Sequence, residues 1–198
     1  AAAQAAGRFD AQMIPVTVPG KRGKTTVVDR DECVRPESTM ETLGRLPTAF
    51  EPDGVCTAGN SSPMSDGAGA VVLMDRETAE KKGLEPLAVF RGFAVTGCDP
   101  SIMGIGPVEA IRKVLRKTGL TLEEMDLIEL NEAFATQSIA CIRELGLDMD
   151  KVNVNGGALA LGHPLAGTGA ILTAKLLYEL KRRRARYGLV AFCMAGGQ

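Results

Sequence analysis

From Leu87 onward the sequence alternates between strand-like and helix-like patterns, and this alternation limits the possible folds more than any other feature. Strand-like apolar stretches occupy residues 87–96, 126–130, 152–154 and 188–193. Helical periodicity predicts helices after Pro107, over residues 132–145 and over residues 168–183. Gly119 and Gly146 follow the first two helices as stop signals. The alternation predicts a layered α/β domain in which helices pack against a sheet.

The first 86 residues are less regular and contain shorter predicted elements. Residues 9–18 and 25–28 flank a polar turn, and they predict a hairpin. A short helical pattern covers residues 39–46 within a charged, proline-punctuated stretch. Residues 71–74 predict an apolar strand, and residues 76–83 predict a short helix that ends at glycine.

Charge and cysteine usage exclude several classes of partner. The net charge of -1 provides no general basic field for nucleic acid, and no apolar run reaches the ~18 residues of a membrane span. The five cysteines are odd in number and form no C-x-x-C pair, which argues against a disulfide framework and against a metal site. A reducing, cytoplasmic location is therefore predicted. The basic run 181–186 is typical of a helix C-terminus, with a phosphate contact as the minor alternative.

The single histidine, His163, lies between the glycine clusters 156–157 and 167–169. Pro164 fixes its own φ and biases the histidine backbone away from helix, so the imidazole is predicted on a bend. A helix begins directly afterwards, and such a bend suits a site for a carbonyl or a phosphate. The alternative is a glycine-rich turn with an incidental histidine.

Asn131, His163 and Cys193 follow strand ends that can converge at one edge of the sheet. Backbone amides of the turn after Cys193 are expected to lower the thiol pKa, which suits a proton shuttle or nucleophile. An inert core cysteine is the alternative. Asn131 can orient a water or donate to an oxyanion, whereas its alternative role is a helix N-cap.

Five strings occur in an order and spacing that resemble the thiolase family, specifically acetyl-CoA acetyltransferases and 3-ketoacyl-CoA thiolases. The strings are TAGNSSPMSDGAGA, MGIGPV, NEAFATQ, NVNGGALALGHPLAGTGA and CMAGGQ. The resemblance implies a thiolase-like layered αβα fold and reversible Claisen condensation or thiolysis of 3-ketoacyl-CoA. It also implies acyl-CoA and CoA as partners, no cofactor beyond these substrates, and a homodimer or homotetramer.

The same resemblance implies a division of the chain. Residues 1–56 correspond to part of the inserted loop region, residues 57–86 to the end of the N-terminal domain, and residues 87–198 to the C-terminal domain without its last strand. The family's nucleophilic cysteine lies in an N-terminal half that the chain does not match, so that half is an expected partner. The chain alone is expected to be inactive.

Matching positions imply three catalytic residues. His163 corresponds to the histidine that activates the nucleophile and helps to bind a thioester oxygen. Cys193 corresponds to the acid/base cysteine, and Asn131 to the asparagine that holds an oxyanion-hole water. Positions implied to bind substrate are Ala58 and Ser62 near pantetheine, Met103 and Phe134 in the acyl pocket, and Ala195 at the other oxyanion hole.

The sequence departs from the common motifs of the family at four positions: Ala195, Ala166, Ile171 and Pro63. These differences are expected to affect substrate preference or activity. A catalytically silent CoA- or lipid-binding module of thiolase type is the alternative function. A nucleotide-binding α/β domain is a third reading, but no G-x-G-x-x-G motif with a suitable acidic residue follows a predicted strand.

Overall fold

A parallel pair of strands forms the centre of the second half of the chain, in a computed structural model that describes residues 1–197. The helices are α1 Ala2–Ala5, α2 Met40–Gly44, α3 Arg76–Lys81, α4 Gly106–Thr118, α5 Ala135–Leu145, α6 Ala158–Leu161 and α7 Thr168–Arg183. The strands are β1 Val16–Pro19, β2 Thr25–Val28, β3 Leu127–Leu130 and β4 Gly188–Ala191. Short 3₁₀ segments cover Asp10–Gln12, Lys21–Gly23 and Pro100–Ile105.

β3 and β4 pair in parallel, with Leu127 opposite Gly188 and Leu130 opposite Ala191. The Asn131 N–H continues the pairing by donating to the Ala191 carbonyl at 2.9 Å. α7 packs against both strands. β3 is buried along its whole length, as expected of a parallel strand covered on both faces. The strand ends that lead to Asn131 and Cys193 therefore lie at the same edge of this sheet.

α4 and α5 complete the core on the other side of the strands. Both helices end at a glycine in the left-handed conformation, Gly119 at φ 68° and Gly146 at φ 64°, as the sequence predicts. The core cluster is drawn from α4, α5, β3, β4 and the segments between them. Its members are Val108, Ile111, Met125, Ile128, Leu130, Cys141, Leu147, Val152, Leu189 and Ala191.

The predicted hairpin of the first half is confirmed, with β1 and β2 paired antiparallel from Val16–Val28 to Pro19–Thr25. Its first strand is shorter than the predicted 9–18, because Asp10–Gln12 form a 3₁₀ turn. The short helices α2 and α3 also lie where the helical patterns predict them. Thr39 caps α2 through a capping box with Thr42, which explains why the helix begins there despite its exposure.

Three predicted strands are wrong as assigned. Residues 71–74 and 87–96 join no ladder within the described chain, and much of their apolar surface is exposed. Residues 152–154 contribute a single bridge, Val152 to Ile128. An apolar segment becomes a strand only when a neighbouring strand pairs with its backbone, and the described residues provide no such strand beside residues 71–74 or 87–96. Residues 87–96 instead accept hydrogen bonds from Lys113 and Lys117 of α4.

At Leu130, the backbone groups on the free edge of β3 are hydrogen-bonded by a side chain and not by a further strand. Asn153 Oδ1 accepts from the Leu130 N–H at 2.9 Å, and Asn153 Nδ2 donates to the Leu130 carbonyl at 2.8 Å. Asn153 itself has φ 47°, a left-handed conformation that asparagine tolerates better than most residues. The primary amide thus reproduces the donor and acceptor of a peptide group, which satisfies the buried end of β3.

In the region that the structure describes, no helix combines the length and apolar character needed to cross a membrane.

Candidate active site

Asn131 is the first residue after β3, and its side chain is completely buried. Its Nδ2 atom lies 3.3 Å from His163 Nε2. Its Oδ1 atom is buried and has no hydrogen-bond partner among residues 1–197. A buried amide oxygen without a partner is costly and rare in a structural role, so this oxygen marks a site for a donor such as water or substrate. The alternative role as a helix N-cap is wrong, because Phe134 occupies the N-cap of α5.

His163 lies on the bend that the sequence predicts, between α6 and α7. Gly162, with φ 101°, turns the chain out of α6 immediately before it. On the other side of the ring, His163 Nδ1 lies 2.6 Å from Thr168 Oγ1, at the first residue of α7. Because the Asn131 amide N–H can only donate, Nε2 accepts and Nδ1 carries the proton that it donates to Thr168. Burial lowers the pKa of His163 below its ordinary value of 6.5, so the ring is neutral at neutral pH.

The arrangement leaves the Nε2 lone pair of His163 beside the amide of Asn131. When a substrate or water displaces the hydrogen bond between them, these two nitrogens, 3.3 Å apart, can both reach a third atom placed about 3 Å from each. The imidazole can take a proton at Nε2, and the asparagine can hold a water or an oxygen. These are the two functions needed for proton transfer beside a carbonyl.

Glu132 fixes the loop that leads to His163, although the sequence analysis did not single it out. Its carboxylate accepts from Asn153 Nδ2 at 2.9 Å and from the Leu159 N–H at 3.2 Å. A Cβ at Gly157 would overlap this carboxylate, so a larger residue there would displace the Glu132 side chain from these hydrogen bonds. A carboxylate next to Asn131 and a glycine pair before α6 were the available signals.

Cys193 lies two residues beyond β4, and its side chain is buried. The parallel register puts it at the sheet edge that also carries Asn131. Within residues 1–197, no hydrogen bond joins Cys193 to Asn131 or His163, so what they share is the sheet edge.

The expected lowering of the Cys193 pKa is wrong. Burial raises the pKa of this thiol; its own backbone amide opposes that effect, and the nearby Cys98 thiol adds to it. The turn after a strand end lowers a thiol pKa only when donors or a cation reach the sulfur. The thiol is therefore protonated at neutral pH.

The loop that carries Ala58 and Ser62 lies alongside the segment that follows Asn131. The Ser62 N–H donates to the Ala133 carbonyl at 3.0 Å, and Ser61 forms a bridge with Phe134. Phe134 also packs edge to face on Phe50, with ring centroids 6.1 Å apart. The structure thus brings two of the implied substrate-binding positions together, Ser62 and Phe134, while Ala58 lies four residues earlier in the same loop.

Met103 and Ala195 lie on other segments. Met103 belongs to the 3₁₀ segment Pro100–Ile105, which packs on α4 and α5. Ala195 is exposed in the turn after Cys193, where the Cys98 N–H donates to the Gly197 carbonyl at 2.6 Å. Among residues 1–197, no group of three or more His, Cys, Asp or Glu side chains is arranged to hold a metal ion.

Two family models match the chain, one described as the thiolase N-terminal domain over residues 1–77 and one as the thiolase C-terminal domain over residues 84–198. The chain belongs to the thiolase family. The acetyl-CoA acetyltransferase of Chromobacterium violaceum is 50% identical over 197 residues, which cover 100% of this chain and 50% of that protein. The mitochondrial 3-ketoacyl-CoA thiolase of Homo sapiens is 52% identical over 197 residues, which cover 100% of this chain and 49% of that thiolase.

A solved thiolase structure is similar across the same span. The crystal structure of the Bacillus anthracis acetyl-CoA acetyltransferase superposes with a TM-score of 0.97 at 49% identity, covering 99% of this chain and 50% of that one. The predicted thiolase-like α/β fold is confirmed. The chain spans about half the length of the curated thiolases that it matches.

The predicted cytoplasmic location is wrong as a deduction from cysteine usage. Relatives that are 52% identical over the aligned span include thiolases named mitochondrial in Homo sapiens and peroxisomal in Arabidopsis thaliana. Unpaired cysteines are compatible with any reducing compartment, so they do not identify one.

Proposed function

We propose that the whole protein is an acyl-CoA C-acetyltransferase of the thiolase type, which catalyses reversible Claisen condensation and thiolysis of 3-ketoacyl-CoA. The observation that carries the proposal is the Asn131–His163 pair with its unpartnered amide oxygen, at the sheet edge that leads to Cys193. The membership of the chain in the thiolase family supports the same assignment.

In thiolysis, the C2–C3 bond of the 3-ketoacyl-CoA breaks and its electron pair becomes the carbanion of acetyl-CoA. A protonated thiol can quench that carbanion, and the raised pKa keeps Cys193 protonated at neutral pH. The acyl group passes to a nucleophilic cysteine that the N-terminal half supplies. Neutral His163 can accept the proton of that nucleophile at Nε2 while Thr168 holds its Nδ1–H.

Asn131 is suited to hold a water whose hydrogen stabilises the developing enolate oxygen. The buried Oδ1 acceptor can bind such a water, which then directs its second hydrogen toward the thioester. We assign Ala58 and Ser62 to the pantetheine arm, Phe134 and Met103 to the acyl pocket, and Ala195 to a backbone oxyanion donor. Ala195, Ala166, Ile171 and Pro63 are the positions at which substrate preference is expected to differ.

The N-terminal half is also the proposed cover for apolar segments of the first 105 residues. Val72 is 83% exposed and Phe90 is 72% exposed, and each lies in a stretch of other exposed apolar side chains. Contiguous apolar surface of this kind normally packs against another part of a protein. We further propose the division 1–56, 57–86 and 87–198 into loop region, N-terminal domain end and C-terminal domain. Assembly as a homodimer or homotetramer belongs to the same proposal.

The decisive experiment is thiolysis of acetoacetyl-CoA by the full-length protein. His163→Ala and Cys193→Ala are each expected to lower turnover by at least ~100-fold, as for a displaced acid/base. Cys56→Ala is the matched control, because this thiol contacts Thr136 and makes no described hydrogen bond to Asn131 or His163, so its loss is expected to change turnover little. Near-normal turnover in both active-site variants would remove these residues from the mechanism.

Two further results separate an enzyme from a binding module. The 198-residue chain assayed alone is expected to show no thiolysis, because the proposed nucleophile belongs to the N-terminal half. If full-length wild-type protein binds CoA in calorimetry but turns over no 3-ketoacyl-CoA, the catalytically silent module is the better description.

A further inference from the structure

A lysine and a glutamate form a buried ion pair between α7 and β3. Lys175 Nζ lies 2.9 Å from Glu129 Oε2, and the two side chains are 5% and 4% exposed. The same ammonium donates to the Gly156 carbonyl at 2.7 Å. Lys175 is thus satisfied by one carboxylate and one backbone carbonyl on two different segments.

The ion pair lies among other acidic side chains, and burying its charges costs desolvation free energy. Glu132 and Glu179 repel the Glu129 carboxylate, and Asp31 is attracted to the Lys175 ammonium. Burial raises the pKa of Glu129, while the ammonium acts in the opposite direction. An isolated buried ion pair seldom stabilises a fold more than an apolar pair of similar size. Stability alone therefore gives little reason for a lysine at this position.

The three segments that Lys175 joins are the ones that present the candidate active site. Glu129 lies on β3 two residues before Asn131, on the same face of the chain because side chains alternate along a strand. Gly156 lies in the turn before α6, which leads to His163. Lys175 lies on the buried face of α7, whose first residue, Thr168, holds His163 Nδ1.

We propose that Lys175, anchored by Glu129, is a positioning residue that fixes the Gly156 turn and thereby holds His163 against Asn131. The tether acts through the backbone carbonyl of Gly156, so it constrains the start of the loop while Thr168 constrains its end. Neither Lys175 nor Glu129 touches the reacting atoms. The catalytic part of this inference rests on the proposed thiolase function.

The test is the double variant Glu129→Leu/Lys175→Met in the full-length protein. Because both charges are removed, the variant leaves no buried unpaired ion and is expected to fold with a melting temperature near that of wild type. It lacks the donor to Gly156. We expect kcat for acetoacetyl-CoA thiolysis to fall about 10- to 100-fold, as for a catalytic group displaced by about 1 Å, with KM for CoA nearly unchanged.

Glu77→Leu/Lys81→Met is the matched control, because it makes the same changes in an exposed ion pair on α3. Its kcat is expected to equal that of wild type. Glu129→Gln alone leaves the Lys175 charge without its carboxylate, so its melting temperature is expected to fall. Because Lys175 still donates to Gly156, the kcat of this variant is expected to fall much less than that of the double variant. If the double variant does not accumulate as folded protein, Glu129→Gln/Lys175→Met gives the same comparison.

Crystal structures of wild type and the double variant make the outcome independent of turnover. The proposal is supported if the segment from Gly156 to His163 shifts and the Asn131–His163 distance changes. It is overturned if that segment superposes on wild type. It is also overturned if the folded double variant has both the kcat and the melting temperature of wild type, since the ion pair would then not position His163. Absence of thiolysis in wild-type protein would reject the proposed function, while the two crystal structures would still decide the positioning role.

Discussion

Residues 1–105 and residues 106–197 have comparable lengths but opposite relations to solvent. In the first region, Phe9 and Ala79 are the only buried residues, whereas apolar side chains such as Val72, Leu73 and Phe90 are largely exposed. The second region contains the whole core cluster and a strand pair that is buried between helices. Most of the stabilisation that this chain gains from burying apolar surface therefore comes from its second region.

This difference explains where the candidate active site lies. Asn131, His163 and Cys193 all follow elements of the second region, where the backbone is fixed by packing on both sides. The first region reaches the site through more than one segment. Residues 57–62 pair with the segment after Asn131. Ser65 and Gly67 lie against the glycine and the proline that flank His163. Proton transfer needs fixed atoms, whereas substrate contacts can be supplied by a loop laid over them.

The largest expected effect is on catalysis, from Asn131→Ala in the second region. Loss of the amide removes the water-binding oxygen and the contact with His163, so kcat of the full-length protein is expected to fall by about 10²–10³. Steady-state thiolysis with acetoacetyl-CoA measures this effect, and thermal melting controls for unfolding. A folded variant with wild-type kcat would show that the unpartnered oxygen has no role in catalysis.

Ile111→Ala is expected to have the largest effect on stability. Ile111 on α4 is almost fully buried in the core cluster, so the truncation should cost about 2–5 kcal/mol in the free energy of unfolding. Denaturant unfolding of the full-length protein provides the measurement. A cost below about 0.5 kcal/mol would contradict the assignment of the main core to the second region.

Leu73→Ala tests whether the exposed segments of the first region are covered in the whole protein. If the N-terminal half packs on them, as proposed, the substitution should cost about 2 kcal/mol or more. A side chain that stays in water should change stability by no more than about 0.5 kcal/mol. The same denaturant experiment separates these results, and a cost at the lower value would reject the proposed cover.

The smallest expected effect is on pH dependence through His163. Its folded pKa lies below the ordinary value of 6.5 because burial disfavours the imidazolium. The unfolded chain therefore binds the proton more readily, so the stability contribution of this group is present above pH 6.5 and is lost as pH falls through the folded pKa. The acid limb of kcat/KM that reports His163 should have its midpoint below pH 6.5, and a midpoint above that value would contradict the assigned neutral ring.

The sequence predicted the elements whose signals are local. The left-handed glycines that end α4 and α5, the turn between β1 and β2 and the bend at His163 all depend on residues close together in the chain. The convergence of Asn131 and His163 was predicted from parallel strand ends that meet at one sheet edge. The strand expected before His163 contributes only the Val152–Ile128 bridge, but this bridge is parallel and keeps the predicted direction of the chain.

The predictions that failed depended on partners distant in sequence. Residues 71–74 and 87–96 have strand composition, but a strand exists only where another strand donates to it. The Cys193 pKa depended on which groups surround the sulfur, and burial outweighed the turn amides. Lys175 reads as one more helix residue in the sequence, and only the fold reveals that it reaches Glu129 and Gly156.

The amide of Asn153 makes this sheet edge sensitive to a single atom. Its nitrogen donates to both the Leu130 carbonyl and the Glu132 carboxylate, while its oxygen accepts from the Leu130 N–H. Deamidation to aspartate would replace that donor by an anionic oxygen facing two other oxygens. Deamidation of this one side chain would therefore weaken the end of β3, from which Asn131 projects.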